Sequence, residues 1–416
     1  MAGHPCGGVA RSNHWTRRGH RRRQRGDLRY SSVGDMGWHS RTFHQVASTM
    51  KANRAIFTIV TKSYLAYARV MAKELRARHP EILFYVFLAD RPDGCFQPEQ
   101  EPFTIIPLAD FFPAELMPTM PGYYTAYEFC NALKPFAHIH LATKTGAERW
   151  LYLDSDIFAC GSFDSLFEEL DDCSILLTSH ILKPVKIGIS ERTELNILSA
   201  GIYNGGFVGL KRTEVTMSFL LWWRERLIWH CLHDVRGLEV DQTWLNFVPS
   251  LFPEVKVLKN PEVNVAYWNF HDRELELDAN GDVRVAGRRI PFFHFSGWDW
   301  NAPDKISKHA SPDLGNSAQA WNHLRDAYLR RLIEESVQIS SAWPYSFGKT
   351  TGGQDISSSA RRNFLSYCRK HSGQPLEVNI FSNPEFFRDP PPKPISLKDA
   401  STIFIGALLR ASGLRK

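Results

Sequence analysis

Asp154 and Asp156 stand one residue apart at the end of an apolar run, Trp150-Leu151-Tyr152-Leu153, and are followed by Ile157-Phe158. The run predicts a buried strand whose polar end opens at an edge. In extended chain alternate side chains share a face, so both carboxylates point together and Ser155 points away. At roughly 7 Å they repel unless a cation lies between them. Mg²⁺ and Mn²⁺ suit such a pair, because hard ions take oxygen ligands and share them with phosphates. The plainer reading is a helix cap beside a solvated loop Asp. About one Asp-x-Asp arises by chance in a chain this long, so context has to decide.

Four further segments supply that context. Tyr203-Asn204-Gly205-Gly206-Phe207 offers an amide beside two glycines, where backbone approaches a ligand closely. Val240-Asp241-Gln242 presents a carboxylate and an amide, and Phe292-Phe293-His294-Phe295-Ser296-Gly297 delivers one imidazole to a polar turn. Ser307-Lys308-His309 adds a cation.

The surrounding pattern predicts how these are held. Strands are expected at 55–60, 82–88, 104–106 and 174–178, and a helix is expected from Leu65 to Leu75. Residues 126–142 read as helical with Pro135 breaking or starting a segment. Ser162 is expected to cap a helix through Leu170. Strand and helix alternate, which predicts a mainly parallel sheet covered on both faces. Ligands bind beyond the carboxyl ends of such strands, where Thr61, Asp90 and Asp154 fall. Later come an aromatic-faced helix at 215–231, a helix at 318–338, a Gly/Ser/Arg/Pro-rich stretch at 348–395 and a basic amphipathic helix at 396–416.

Bulk composition narrows the classes. Twelve Trp and twenty-seven Phe among 416 residues give ample core material, and no run approaches a membrane span. The formal charge of +6 is uneven: residues 1–50 hold nine Arg, no Lys and two Asp, a balance of +7. Subtraction leaves 41 basic and 42 acidic residues elsewhere, a balance of −1 that argues against a nucleic-acid partner. Residues 1–52 are expected to be disordered. Seven scattered cysteines without a Cys-x-x-Cys pair fit a reducing compartment, hence the cytoplasm. The basic end helix either packs on the body or touches the inner face of the membrane.

In this order, the motifs of residues 54–310 resemble the GT-A glycosyltransferases, most closely the retaining, glycogenin-like and bacterial family 8-like group. The resemblance implies a GT-A mixed sheet flanked by helices over 53–310, with a mostly helical extension at 311–416. It implies transfer of a hexose from a nucleotide-diphospho-sugar, a UDP-sugar by preference, to a glycan, lipid-linked or other hydroxyl acceptor in envelope or exopolysaccharide synthesis. Mn²⁺ or Mg²⁺ is implied, held by Asp154, Asp156 and His294, with Ser155 near the ribose. Asn204, Gly205 and Gly206 match positions around the donor sugar, Asp241 and Gln242 those binding its hydroxyls, and Lys134 a lysine reaching the donor. Thr61, Lys62 and Tyr64 match the nucleobase cradle. Gly297 and Lys308, with Lys305 as a rival, match the diphosphate contacts, although Trp298 to Ile306 replaces the group's compact Lys-Pro-Trp. A sugar-1-phosphate nucleotidyltransferase would want a Gly-rich loop after the first strand, where this chain has Thr61-Lys62-Ser63-Tyr64. A non-catalytic carbohydrate binder would use the aromatics alone.

Overall fold

Strand β1 (Arg54–Val60) shows why the sheet has two covered faces. Ala55, Phe57 and Ile59 pack into one apolar cluster, while Ile56 lies in another. Strand β4 (Arg149–Leu153) repeats the division, with Trp150 and Tyr152 on one side and Leu151 and Leu153 on the other. Side chains alternate along a strand, so a strand apolar at every position needs cover on both faces. Helix Leu65–Arg78 lends Met71 and Leu75 to the second cluster, and helices Lys134–Lys144 and Glu214–His230 lend Leu141 and Trp223 to the first.

The computed structural model describes residues 53–185, 191–235 and 237–388. The segment 1–52 and the expected helix at 396–416 lie outside the described residues. Strands β2 (Leu83–Leu88), β3 (Thr104–Ile106), β6 (Ile175–Ser179), β7 (Tyr203–Lys211) and Val255–Leu258 complete a seven-stranded sheet. Its order is Val255–Leu258, β6, β7, β4, β1, β2, β3.

The sheet is mixed and flanked by helices, as the resemblance implies, and mainly parallel, as strand–helix alternation predicts, with one strand reversed. Strand β7 runs antiparallel to both neighbours, β4 and β6. This reversal brings the start of β7, with Asn204 to Gly206, to the carboxyl end of β4. A short strand β5 (Ile157–Ala159) follows the acidic pair and takes Phe292–His294 as its antiparallel partner.

Three local expectations shift. The helix expected at 126–142 divides into Ala126–Ala132, closed by a Thr125/Glu128 capping box, and Lys134–Lys144. Pro135 sits in the first turn of the second, where its missing N–H is tolerated. The helix after the acidic pair starts at Asp164, and Ser162 Oγ accepts from the Asp164 amide instead of capping one residue earlier. Within 348–395 lies helix Ser358–Lys370, capped by Ser357, which composition alone concealed. It buries Arg361, whose guanidinium donates to the carbonyls of Pro121, Gly122, Tyr124 and Phe347.

Candidate active site

A turn, not an extended strand, brings the two carboxylates together. Strand β4 ends at Leu153, and the Ile157 amide donates to Asp154 O at 3.0 Å, closing Asp154-Ser155-Asp156 into a reversal. The Asp154 amide is held by Gly206 O at 2.9 Å and Asp156 O accepts from the Phe295 amide at 3.0 Å. Because His294 pairs with Ile157 across the short ladder, its ring arrives beside Asp156. His294 Nε2 lies 3.1 Å from Asp156 Oδ1 and 3.9 Å from Asp154 Oδ2. One ligand atom from each of the three lies within 4.8 Å of the others.

Gly206 makes this convergence possible. A Cβ there would lie 2.4 Å from His294 Cε1 and 2.8 Å from Asp154 Oδ2, so any side chain would force the group apart. Gly205 is equally confined, since a Cβ would lie 2.7 Å from Asp241 Oδ2.

Lys134 ties the acidic turn to the second candidate carboxylate. Its ammonium lies 2.9 Å from Asp241 Oδ2, 2.9 Å from Gly205 O and 3.5 Å from Asp154 Oδ1. Burial works against its charge, but Asp154 and Asp241 outweigh that and hold its pKa above the ordinary lysine value. Burial also pushes the Asp241 carboxyl up to about 6, against the pull of Lys134. At Asp154, desolvation is overcome by Lys134, His294 and the Tyr152 hydroxyl, which donates at 2.5 Å, so the carboxyl sits below the ordinary range. His294 is held above the ordinary imidazole value: burial opposes its charge, and Asp156 followed by Asp154 prevails.

Gln242 accepts from the Gly205 amide at 2.8 Å and from Asn204 Nδ2 at 3.1 Å. So Lys134, Asp154, Asp156, Asn204, Gly205, Gly206, Asp241, Gln242 and His294 form one connected group. Two carboxylates and an imidazole form a donor set that fits a divalent ion with oxygen-rich ligation. Ser155, between the carboxylates, is half-buried.

The remaining candidates divide. Gly297 has φ +68 and accepts from the Lys308 amide through its carbonyl at 2.8 Å. A Cβ on it would strike His309 and Ser307. Lys308 and Lys305 are both exposed. Tyr64 is exposed and stacks near Tyr67, with ring centroids 5.0 Å apart. Thr61 is buried and shares a 2.8 Å hydrogen bond with Ser63 Oγ.

Lys62 departs from its expected place. Its ammonium is fully buried, 2.8 Å from Asp93 Oδ2 and 2.8 Å from Ser346 Oγ, with Arg91 O and Asp90 completing its shell. With its donors spent on these four groups, it pins loops together rather than opening onto a nucleobase.

Three residues not singled out in the sequence also touch this group: Tyr152 donates to Asp154, His180 Nε2 lies 3.2 Å from Asn204 Nδ2, and Asn264 Nδ2 donates to Asn204 Oδ1 at 3.2 Å. Tyr152 was readable in principle, because it shares a strand face with Asp154. Asn264 sits in an irregular segment with no period to mark it.

No protein-family model matches the chain. It is 31% identical over 175 residues to the uncharacterized protein YfnF of Bacillus subtilis (strain 168), covering 41% of this chain and 57% of that one. A second uncharacterized protein of that strain, YfnD, is 26% identical over 247 residues, covering 58% and 76%. The chain thus spans little more than half the length of YfnF. Among solved structures, the galactosyltransferase LgtC in complex with donor and acceptor sugar analogs is similar at 16% identity, covering 66% of this chain and 94% of that one, with a TM-score of 0.39. The glycosyltransferase GlyE of Streptococcus pneumoniae TIGR4 matches at 14% identity over 69% and 64%, also at 0.39. Mouse xyloside xylosyltransferase 1 matches at 14% over 58% and 97%, at 0.33.

Proposed function

We propose that the protein is a metal-dependent glycosyltransferase that moves a hexose from a UDP-sugar to a hydroxyl of a glycan or lipid-linked acceptor, with retention at the anomeric carbon. The observation that carries this reading is the convergence of Asp154, Asp156 and His294 within 4.8 Å, beside the buried Lys134–Asp241 pair. A simple carbohydrate platform has no need of this charge arrangement.

Asp154, Asp156 and His294 would hold Mn²⁺ or Mg²⁺, which when bound supplies Lewis-acid stabilisation of the departing diphosphate. The protein's own residues supply the rest. Gly205 and Gly206 let Asp241, His294 and Asp154 pack directly on the backbone of β7, and Asn204 and Gln242 add amides beside them. Asp241, ionised and fixed by Lys134, faces positive charge developing on a sugar ring in an oxocarbenium-like state. The backbone bond between Lys308 and Gly297 supports Lys308 over Lys305 as the diphosphate contact. No dedicated base is required if the departing phosphate takes the acceptor's proton.

The test is incubation with a panel of UDP- and GDP-sugars and Mn²⁺, following donor hydrolysis and transfer. Turnover with at least one donor is expected, and Asp156→Asn should lose roughly a hundredfold or more in kcat with an unchanged circular dichroism spectrum. Absence of hydrolysis, transfer and metal-dependent nucleotide binding with every donor would overturn the reading.

A further inference from the structure

We infer that Lys62 and Ser346 form a buried clasp that presets the loop after β1 for the nucleoside of the donor, so that both act as positioning residues for nucleotide binding. This rests on the proposed nucleotide-sugar donor.

The loop stands where a nucleotide would have to lie. It leaves the carboxyl end of β1, which runs parallel beside β4 and its acidic turn, and ligands of such sheets bind at that end. Tyr64 presents an exposed ring there. Its hydroxyl is crowded enough, and near enough to the Asp156 carboxylate, to be held above the ordinary tyrosine value. Thr61 Oγ1 and Ser63 Oγ add two hydroxyls 2.8 Å apart. A ring with hydroxyls beside it suits a flat heterocycle with polar edges.

Lys62 decides which way that loop faces. The turn Lys62–Tyr64 has three residues per turn, so successive side chains diverge by about 120°. With Lys62 drawn fully inside, Tyr64 is left outside. Two other segments draw it in. The parallel register that pairs Val60 with Leu88 carries Asp90 past the end of β2 to within 3.4 Å of the Lys62 ammonium. Asp93 Oδ2 lies 2.8 Å away, in a left-handed backbone conformation (φ +47) that Asp tolerates better than most residues.

Ser346 closes the clasp. A serine hydroxyl has one proton to donate and two lone pairs. Ser346 Oγ accepts from Lys62 Nζ at 2.8 Å and from the Arg91 amide at 3.3 Å, and its proton goes to Asp93 Oδ2. The Ser346 amide donates to Asp90 Oδ1 at 2.9 Å. One residue thus touches all three of the others that surround Lys62. A hydroxyl committed in this way has nothing left for a ligand, so its effect on a nucleotide has to run through the loop.

The two segments do not depend on that hydroxyl alone. Phe96 stacks on Trp343 with ring centroids 6.0 Å apart, and the bond from the Ser346 amide survives truncation of its side chain. Ser346→Ala is therefore expected to fold, with a loop no longer fixed before the ligand arrives. A ligand that has to order its own site binds more weakly.

The test compares two probes on the full-length protein at saturating Mn²⁺, by calorimetric titration: the tighter of UDP and GDP, and inorganic pyrophosphate. Pyrophosphate lacks the nucleoside, so the ratio of the two dissociation constants isolates what the nucleoside contributes. Ser346→Ala should lower that advantage about tenfold, with pyrophosphate affinity held within about twofold. Ser346→Thr, which keeps the hydroxyl, should restore it. Lys62→Met should lower it further; if the Asp90 carboxylate stranded by that change prevents folding, the two Ser346 variants decide. A wild-type ratio near one, an unchanged ratio in Ser346→Ala, or pyrophosphate weakened as much as the nucleotide overturns the inference and leaves the transferase reading standing. A wild-type protein that binds none of the three probes overturns that reading, and the inference with it.

Discussion

Gly206 carries more consequence for its size than any other residue of the crevice. Its missing side chain is the space shared by His294 Cε1, Asp154 Oδ2 and Asn204 Oδ1, with contacts of 2.4, 2.8 and 2.9 Å awaiting any Cβ. The imidazole must move by about an ångström, and the carboxylate by less, to admit a methyl group, and ligand geometry at an octahedral ion tolerates little of that. Gly206→Ala is expected to weaken Mn²⁺ binding at least tenfold and to depress kcat, while the urea midpoint moves little. Calorimetric titration with Mn²⁺ beside an unfolding curve checks this. Equal metal affinity would show that the three ligands do not act together.

At the scale of elements, the His294 strand depends on the next α-helix along the chain. Helix Ala318–Glu334 inserts Trp321, Leu324 and Tyr328 into a cluster containing Phe158, Phe293 and Phe295. Tyr328 and Phe295 stack with centroids 4.5 Å apart. Yet the Tyr328 hydroxyl is buried with no partner among the described residues. Tyr328→Ala should therefore cost about 3–5 kcal/mol, whereas Tyr328→Phe should be neutral or stabilising by roughly 1 kcal/mol because an unsatisfied polar atom is removed. Chemical denaturation of both variants separates ring packing from the hydroxyl. The element scale is also where sequence reading reached its limit. Period and apolar runs exposed β1, β2, β4, the helices and the acidic pair, because those signals are local. The direction of β7 was hidden, since an intervening helix at 191–200 serves an antiparallel neighbour as readily as a parallel one. Lys62 was misplaced because the carboxylates that claim it, Asp90 and Asp93, lie 28 and 31 residues away.

At the scale of the whole molecule, residues 337–388 are built into the body. Arg361 satisfies four carbonyls, three from the short helix Met120–Tyr123 and its C-cap Tyr124 and one from Phe347, and a fork of N–H donors suits this in a way an ammonium does not. Removing it leaves several buried acceptors unpaired. Arg361→Met should lose on the order of 3 kcal/mol or more, and Arg361→Lys should recover only part of it. Thermal unfolding with and without donor distinguishes lost stability from lost function. No helix among the described residues is long and apolar enough to cross a membrane.

The contact between Lys62 and Ser346 has a bearing on biosynthesis. A ribosome releases the chain from its amino end at about 5–20 residues per second, so β1 and its lysine wait well over ten seconds for their serine partner. Until then the loop after the first strand has only Asp90, Asp93 and Arg91 to hold it. The loop beside Thr61 is thus completed late, and a nascent polypeptide halted before residue 346 would own its acidic turn long before Lys62 met Ser346.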